Sequence, residues 1–273
     1  MRHGLIRALS VFLVPVLSAP ALSASDGLIG SAAAAPTASG PVFEDFLGPF
    51  GAPPNPDLWT ADIGPSSTHG WERGSLQTYT DFPENIRLDG HGNLVITAQR
   101  TPDGYTSGRL VTRGKLNFPY GTVAARMKLP AGQGLWPAFW MLGENIEQVG
   151  WPESGEIDII ELVNSPTTFN IALHAPGADV EAKGHISDMS AEYHNYWMTR
   201  REHSITVGVD DNTLATFTPD SLPDGSRWVF ENPMFALINV AVGGDWPGPP
   251  DDSTPFPAEM SIDWFSFEPL NSG

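Results

Sequence analysis

The chain has 273 residues, 41% hydrophobic and 10% aromatic, enough apolar material for one large core, so a single domain is the default at this length. Its 32 acidic residues against 14 basic ones give a formal charge of -18, which repels nucleic acid, anionic membranes and sulfated or uronic polymers where no basic run intervenes, and none does. A neutral or cationic partner fits better, and the lack of cysteine excludes disulfides, thiol chemistry and cysteine-ligated zinc.

Arg2 and Arg7 flank the start of an apolar run, LSVFLVPVL, which leads into the small-residue stretch SAPALSAS. This is the layout of a secretory signal over residues 1–24, with cleavage after Ala21 or Ala24. A membrane anchor is the competing reading, but the apolar run is about half of the ~20 residues that a span needs and contains Pro15. The expectation is therefore a secreted, extracellular protein, free of the membrane after processing. Residues 25–40 are dominated by Ala, Ser, Gly and Pro, too poor in apolar bulk to order themselves, and read as a flexible leader. The folded domain is expected over 41–273.

From there on, Gly and Pro punctuate short runs rich in β-branched and aromatic residues. NLVITAQ comes first. TVAARMKL then alternates, with Val123, Ala125, Met127 and Leu129 on one face and Thr122, Ala124, Arg126 and Lys128 on the other, the signature of a half-buried strand. GLWPAFWML, TTFNIALH, SITVGVD, TLATFTP, MFALINVAV and EMSIDWFSFE continue the series. No long stretch keeps a helical apolar period between proper caps, and no solenoid or propeller repeat is present. Many strands with few helices imply an all-β sandwich or barrel.

Between GLWPAFWML and TTFNIALH lies GEIDIIELVN, residues 155–164. Ile157, Ile159 and Ile160 are stiff at χ1 and favour extended backbone. In a regular strand Glu156, Asp158 and Ile160 share one face, which leaves Glu161 on the core side among Ile157 and Ile159. One extra residue, a β-bulge near Ile159 or Ile160, restores Glu161 to the face of the other two acids and sends Leu162 inward. Glu156 and Glu161 are then about four strand steps apart, roughly 13 Å between Cα atoms. Inward-leaning glutamate arms can reduce this to a carboxyl separation of about 5 to 5.5 Å, which suits a retaining glycosidase with one acid as nucleophile and the other as proton donor. Asp158 sits between them, where it can orient a glutamate and, by like-charge crowding, keep a proton on the group. The competing reading is a solvated edge strand whose acids discourage aggregation.

Nine tryptophans add apolar ring faces of the kind that stack on sugars. Trp136 and Trp140 share a face of their strand by the period of two, together with Ala138; such a pair is as often core as binding surface. Trp151, between Gly150 and Pro152, belongs on a loop at a cleft rim, and Trp246 in GGDWPG is a similar loop aromatic. His174 ends NIALH; a lone histidine there is more often a structural hydrogen-bonding group than a catalyst.

These residues resemble glycoside hydrolase family 16, whose signature is E-x-D-x-E or the bulged E-x-D-x-x-E, and within it the laminarinase-type endo-β-1,3-glucanases. The resemblance runs from FEDF at 43 to WFSFE at 264 and rests on NLVITAQ, SGRLVTRGKLNFPYGTVAARMKLPAGQGLWPAFWML, WPESGEIDIIE, INVAVGGDWPG and SIDWFSF. It implies a β-jelly-roll sandwich of two curved antiparallel sheets, concanavalin A-like, with a concave substrate cleft. It also implies Glu156 as nucleophile, Glu161 as acid/base and Asp158 as assisting acid, an order that the spacing does not supply. Trp136, Trp140 and Trp151 match binding-site tryptophans and His174 a substrate-contacting histidine. Asn85 in ENIRL and Arg109 in SGRL match polar cleft positions, although each also suits a turn or an ion pair.

The family needs no cofactor for catalysis but frequently carries a structural calcium on the convex side, for which Glu44 and Asp263 are the ligand candidates. The implied partner is a neutral β-glucan, laminarin-like or mixed-linkage, acted on by a monomer. A noncatalytic lectin-like module would keep the aromatics without needing the three acids, and a transglycosylase would share the whole site. Agarases and carrageenases also use the bulged signature, with substrates less suited to an acidic protein. The segment ERGSLQTY departs from the family's usual run ending E-L-Q, and Ala175 follows His174 where glycine is common, so a subsite contact at that rim is open.

Overall fold

In the computed structural model, which describes residues 35–65, 72–187 and 189–270, the alternating runs pair into two sheets. The expected signal segment 1–24 and residues 25–34 of the leader lie outside the described residues. The end of that leader is packed: Thr37 bridges Asn117, the Ala38 N–H donates to the Asn117 carbonyl at 2.8 Å, and Ala38 is buried. The packed body thus begins before Pro41.

Eleven strands form one sheet, centred on Ala258–Pro269, which pairs with Gly121–Lys128 on one side and Leu94–Thr101 on the other. Every pair in it is antiparallel except Gln77–Tyr79 with Gly104–Ser107. The second sheet has seven strands, in the order Ala178–His185, Thr168–Ala175, Glu156–Leu162, Leu135–Gly143, Met234–Val242, Arg109–Val111 and Thr60–Ala61. All its neighbours are antiparallel. Stacked face to face, the two sheets make a jelly-roll sandwich.

Period two decides what goes between them. Val123, Ala125, Met127 and Leu129 are buried in the core, while Thr122, Ala124, Arg126 and Lys128 face outward, as the sequence pattern requires. Leu135, Phe139 and Met141 point into the same core, where Phe139 meets Phe265 of the opposite sheet at 6.3 Å between ring centroids. Their strand neighbours Ala138, Trp140 and Leu142 turn to the outer face and join a smaller apolar cluster with Phe235 and Leu237.

The acidic strand breaks this rule at one place. Against Leu135–Gly143, Ile160 pairs with Phe139 but Asp158 with Trp140, and against Thr168–Ala175 the register jumps between Asp158 and Glu161. One residue is therefore extra, and Ile159 and Ile160 both lie in the core beside Ile157 and Leu162. The burial of each isoleucine, worth about 1.5–3 kcal/mol, holds the bulge in register. Glu161 consequently emerges on the outer face with Glu156 and Asp158. Gly155 delivers the strand to this point: its φ of 76° is left-handed, and a Cβ there would meet Phe230 at 3.1 Å.

Removal of Ile159 should put Glu161 back on the core side. The deletion variant is expected to lose roughly 3 kcal/mol or more, from one missing isoleucine and one misplaced carboxyl. Urea denaturation read by tryptophan fluorescence checks this; stability equal to the parent would contradict the bulge's role.

Candidate active site

A cleft of about 600 Å³ opens on the outer face of the seven-stranded sheet, with Glu156, Asp158 and Glu161 at its base. The next strand contributes Asn170, Ala172 and His174, which share a face by the same period of two. Trp136, Trp151 and Trp246 form the apolar walls. Trp246 is 43% exposed and sets its ring edge-on to Trp136, 5.1 Å between centroids. Trp151, 48% exposed, lies 5.9 Å from the His174 ring.

Two of these indoles also act on the acids directly. Trp151 Nε1 donates to Glu156 Oε2 at 2.9 Å, and Trp136 Nε1 donates to Glu161 Oε1 at 2.7 Å. Each tryptophan thereby fixes one glutamate while presenting a ring to the cleft. His174 completes the array, its Nε2 at 3.2 Å from Asp158 Oδ2 and 3.9 Å from Glu156 Oε1, its Nδ1 at 2.7 Å from Asp179 Oδ1.

The two glutamates are held differently. Burial, then the charge of Asp158, pushes Glu156 up to about 8, and the His174 cation and the Trp151 N–H pull against that rise. Burial, Asp158 and Glu156 together drive Glu161 well above the ordinary carboxylate range, with the Trp136 N–H as the main counterweight. Burial works against the His174 cation, but its hydrogen bond to Asp158 and the charges of Asp158 and Glu156 outweigh this and raise it to about 10. The two glutamates, crowded against the Asp158 charge beside one cation, share their titration. Glu156 faces the cation, whereas the His174 charge is the least of the influences on Glu161. The two glutamates thus sit in unlike surroundings, a difference that strand spacing alone does not give.

Three expected contacts do not reach the cleft. Asn85 is 1% exposed; its amide donates to the Thr97 carbonyl at 2.8 Å and to Thr106, and it accepts from Thr80, so it clamps neighbouring strands. Arg109, 2% exposed, pairs with Asp62 at 2.8 Å and lies over the Tyr79 ring at 4.4 Å, which covers it. Trp140 shares the outer face with Trp136 but is 4% exposed, and its N–H is given to Asn239 Oδ1 at 2.7 Å. It lies in the floor of the site, where it borders the same small cavity as the three acids.

The calcium candidates are also engaged by protein groups. Asp263 is ion-paired to Arg126 at 2.7 Å, and Glu44 accepts from Asn55 and the Phe46 N–H. A guanidinium beside Asp263 opposes a divalent cation there, so this donor set does not fit calcium. Glu156, Asp158 and His174 bring potential ligand atoms within 4.8 Å of one another, but the imidazolium already supplies the positive charge at that spot.

The sequence gives little sign of a layer of buried polar groups beneath the acids. Glu72 accepts from Tyr79 Oη at 2.7 Å, Gln77 Nε2 at 2.8 Å and Asn239 Nδ2 at 3.0 Å. Burial raises its pKa, against the pull of Arg109 and the Tyr79 hydroxyl. Glu72 and Asn239 border a cavity of about 30 Å³ whose other walls include all three acids, space on the scale of one water. The chain Glu72–Asn239–Trp140 therefore fixes the floor on which the acids sit. The one available signal was Asn239, the lone polar residue in MFALINVAV.

Paired glutamates with raised proton affinities, set among indoles on the open face of a β-sandwich, define a glycoside hydrolase site. Comparison with known proteins agrees. The chain belongs to glycosyl hydrolases family 16, whose model matches residues 76–266. A beta-glucanase of Rhodothermus marinus is 35% identical over 229 residues, 77% of this chain and 79% of that protein. The endo-beta-1,3-glucanase of Pyrococcus furiosus superposes with a TM-score of 0.76 at 37% identity, covering 83% of this chain and 93% of that one. A beta-1,3-glucan-binding protein of Penaeus monodon is 52% identical over 213 residues, 63% of this chain and 54% of that protein. Catalysis in this family needs no cofactor.

Asp158 raises both glutamates. Neutralising it in Asp158→Asn should lower the proton affinity of each, so both limbs of the kcat/KM profile against pH should move to lower pH. An unmoved profile at reduced kcat would show that Asp158 acts only by orientation.

Proposed function

We propose that the protein is a retaining, endo-acting hydrolase of β-1,3-glucan, laminarin-like, with mixed-linkage β-1,3-1,4-glucan as a second substrate. The observation that carries this reading is the gathering of Glu156, Asp158 and Glu161 in one indole-walled cleft, with each glutamate held by a tryptophan N–H and Glu156 facing His174. Glu161 protonates the glycosidic oxygen while Glu156 attacks the anomeric carbon, and a covalent glycosyl-enzyme forms. Glu161, now a base, takes a proton from water, which displaces Glu156 and releases a product with its β configuration kept. Asp158 carries the like charge that maintains the proton on Glu161, and His174 steadies Asp158 and Glu156. Trp136, Trp151 and Trp246 stack on the apolar faces of the sugar rings.

The open cleft suits attack within a polymer, and the names of the relatives favour β-1,3 linkages. The N-terminal pattern of residues 1–24 favours export, and we expect a secreted monomer, without a calcium requirement at Glu44 and Asp263. A second reading, a noncatalytic glucan-binding module, is favoured by the name of the Penaeus monodon relative; it gives no reason to bury two glutamates against their charge.

Glu156→Gln should cut turnover by about 10⁴-fold or more, the scale for loss of a nucleophile, yet leave oligosaccharide binding intact. Because the folded carboxyl of Glu156 titrates at about 8, above its unfolded value, its contribution to stability is full at acid pH and is lost as pH rises toward 8. The glutamine variant should therefore melt higher than the parent at pH 7. NMR of fresh laminarin digests should show the β anomer first. Binding without cleavage of any glucan by the parent protein would favour the binding module, and an initial α anomer would exclude the double displacement.

A further inference from the structure

The outer face of the eleven-stranded sheet carries a second depression, of about 650 Å³, on the opposite side of the sandwich from the acids. Arg87, Thr97, Gln99 and Glu259 form its floor. Each stands one place out of step with core residues of its strand, such as Ile86, Ile96, Ala98 and Met260. Phe50 and Phe256 stand at its walls, and Phe50 is 74% exposed.

The polar floor is preorganised. Arg87 is held by Glu259 at 2.8 Å and by Thr97 Oγ1 at 3.1 Å, with its guanidinium 5.9 Å from the Phe50 ring. Gln99, which lines the groove, is fixed by its Nε2, which donates to the Glu84 carbonyl at 2.6 Å. On the far wall Arg100 lies over Phe256 at 5.4 Å, and Phe256 rests against Tyr105 at 5.3 Å. Groups fixed in this way lose little freedom when they bind.

Charge narrows the occupant. Within a chain of net charge -18, the groove balances Arg87 and Arg100 against Glu84 and Glu259. Neither a polyanion nor a polycation gains from such a surface. Apolar rings at the walls and fixed hydrogen-bonding groups on the floor repeat the chemistry of the catalytic cleft, at a similar size, without its crowded acids. That combination suits a neutral polyhydroxylated chain.

We infer that this groove is a second, noncatalytic site for neutral β-glucan, which holds the protein on polymeric substrate while the cleft works on another stretch. The inference rests on the proposed glucan specificity. A second foothold raises the local concentration of substrate at the cleft, and it matters for long or insoluble glucan but not for a short soluble oligosaccharide.

Calorimetry of the Glu156→Gln protein with laminarihexaose tests it. Two binding sites per chain are expected, falling to one in Glu156→Gln with Phe50→Ala or with Gln99→Ala, at an unchanged unfolding temperature. In the active background, the single variants Phe50→Ala and Gln99→Ala should lose roughly three- to tenfold in affinity for insoluble β-1,3-glucan, the effect of one stacked ring or one fixed hydrogen bond. Their kcat/KM on laminarihexaose should equal that of the parent. One site in the Glu156→Gln protein with unaltered polymer retention in the variants would overturn the groove while leaving the cleft intact. A loss of self-association in Phe50→Ala with glucan retention unchanged would assign the groove to a second copy of the chain and also overturn it. Failure of the parent to bind or cleave any β-1,3-glucan would instead bring down the functional reading first.

Discussion

One extra residue in the acidic strand governs this site. Side chains alternate strictly along a strand, so a face carrying Glu156 and Asp158 cannot also carry Glu161 unless the period is broken between them. The break at Ile159 and Ile160 is held because both isoleucines find places in the core. The apolar side of the strand thus sustains the geometry of its polar side. Fold and chemistry meet in the same seven residues, Glu156–Leu162.

Electrostatics then gives the gathered acids separate parts. Burial alone would raise both glutamates alike. What distinguishes them is the company each keeps: Glu156 faces the His174 cation and the Trp151 N–H, while Glu161 has the Trp136 N–H and lies farther from the positive charge. The indoles serve twice, as hydrogen-bond donors to the acids and as walls for a sugar. Beneath them the Glu72–Asn239–Trp140 chain keeps the floor rigid, which a retaining mechanism needs because its two carboxyls must hold their separation through both displacements.

Much of this was legible in the sequence because the informative signals were local. The bulge follows from three acids and three isoleucines at fixed spacing, and the two-sheet sandwich follows from alternation in runs such as TVAARMKL and NIALH. Trp151 and Trp246 read correctly as loop aromatics because Gly and Pro flank them. What the sequence leaves out is nonlocal. Whether Arg109 reaches the cleft depends on Tyr79 and Asp62, which close over it from distant segments. Trp140 differs from Trp136 only in what covers it, and Asn85 is claimed by Thr80, Thr97 and Thr106. That Arg126, across the strand pair, pairs with Asp263 is likewise invisible in the local sequence. Glu72 escaped notice because a single acid in a loop carries no period.

In the proposed mechanism the environment orders the two glutamates, the proton staying on Glu161 after Glu156 has ionised. A ¹³C NMR titration of the side-chain carboxyls of the free protein tests it most directly, with the two signals assigned by their loss in Glu156→Gln and in Glu161→Gln. The account predicts that the Glu156 signal titrates at the lower pH and the Glu161 signal well above it. Titration in the reverse order, or both carboxyls ionised together in the ordinary carboxylate range, would contradict it.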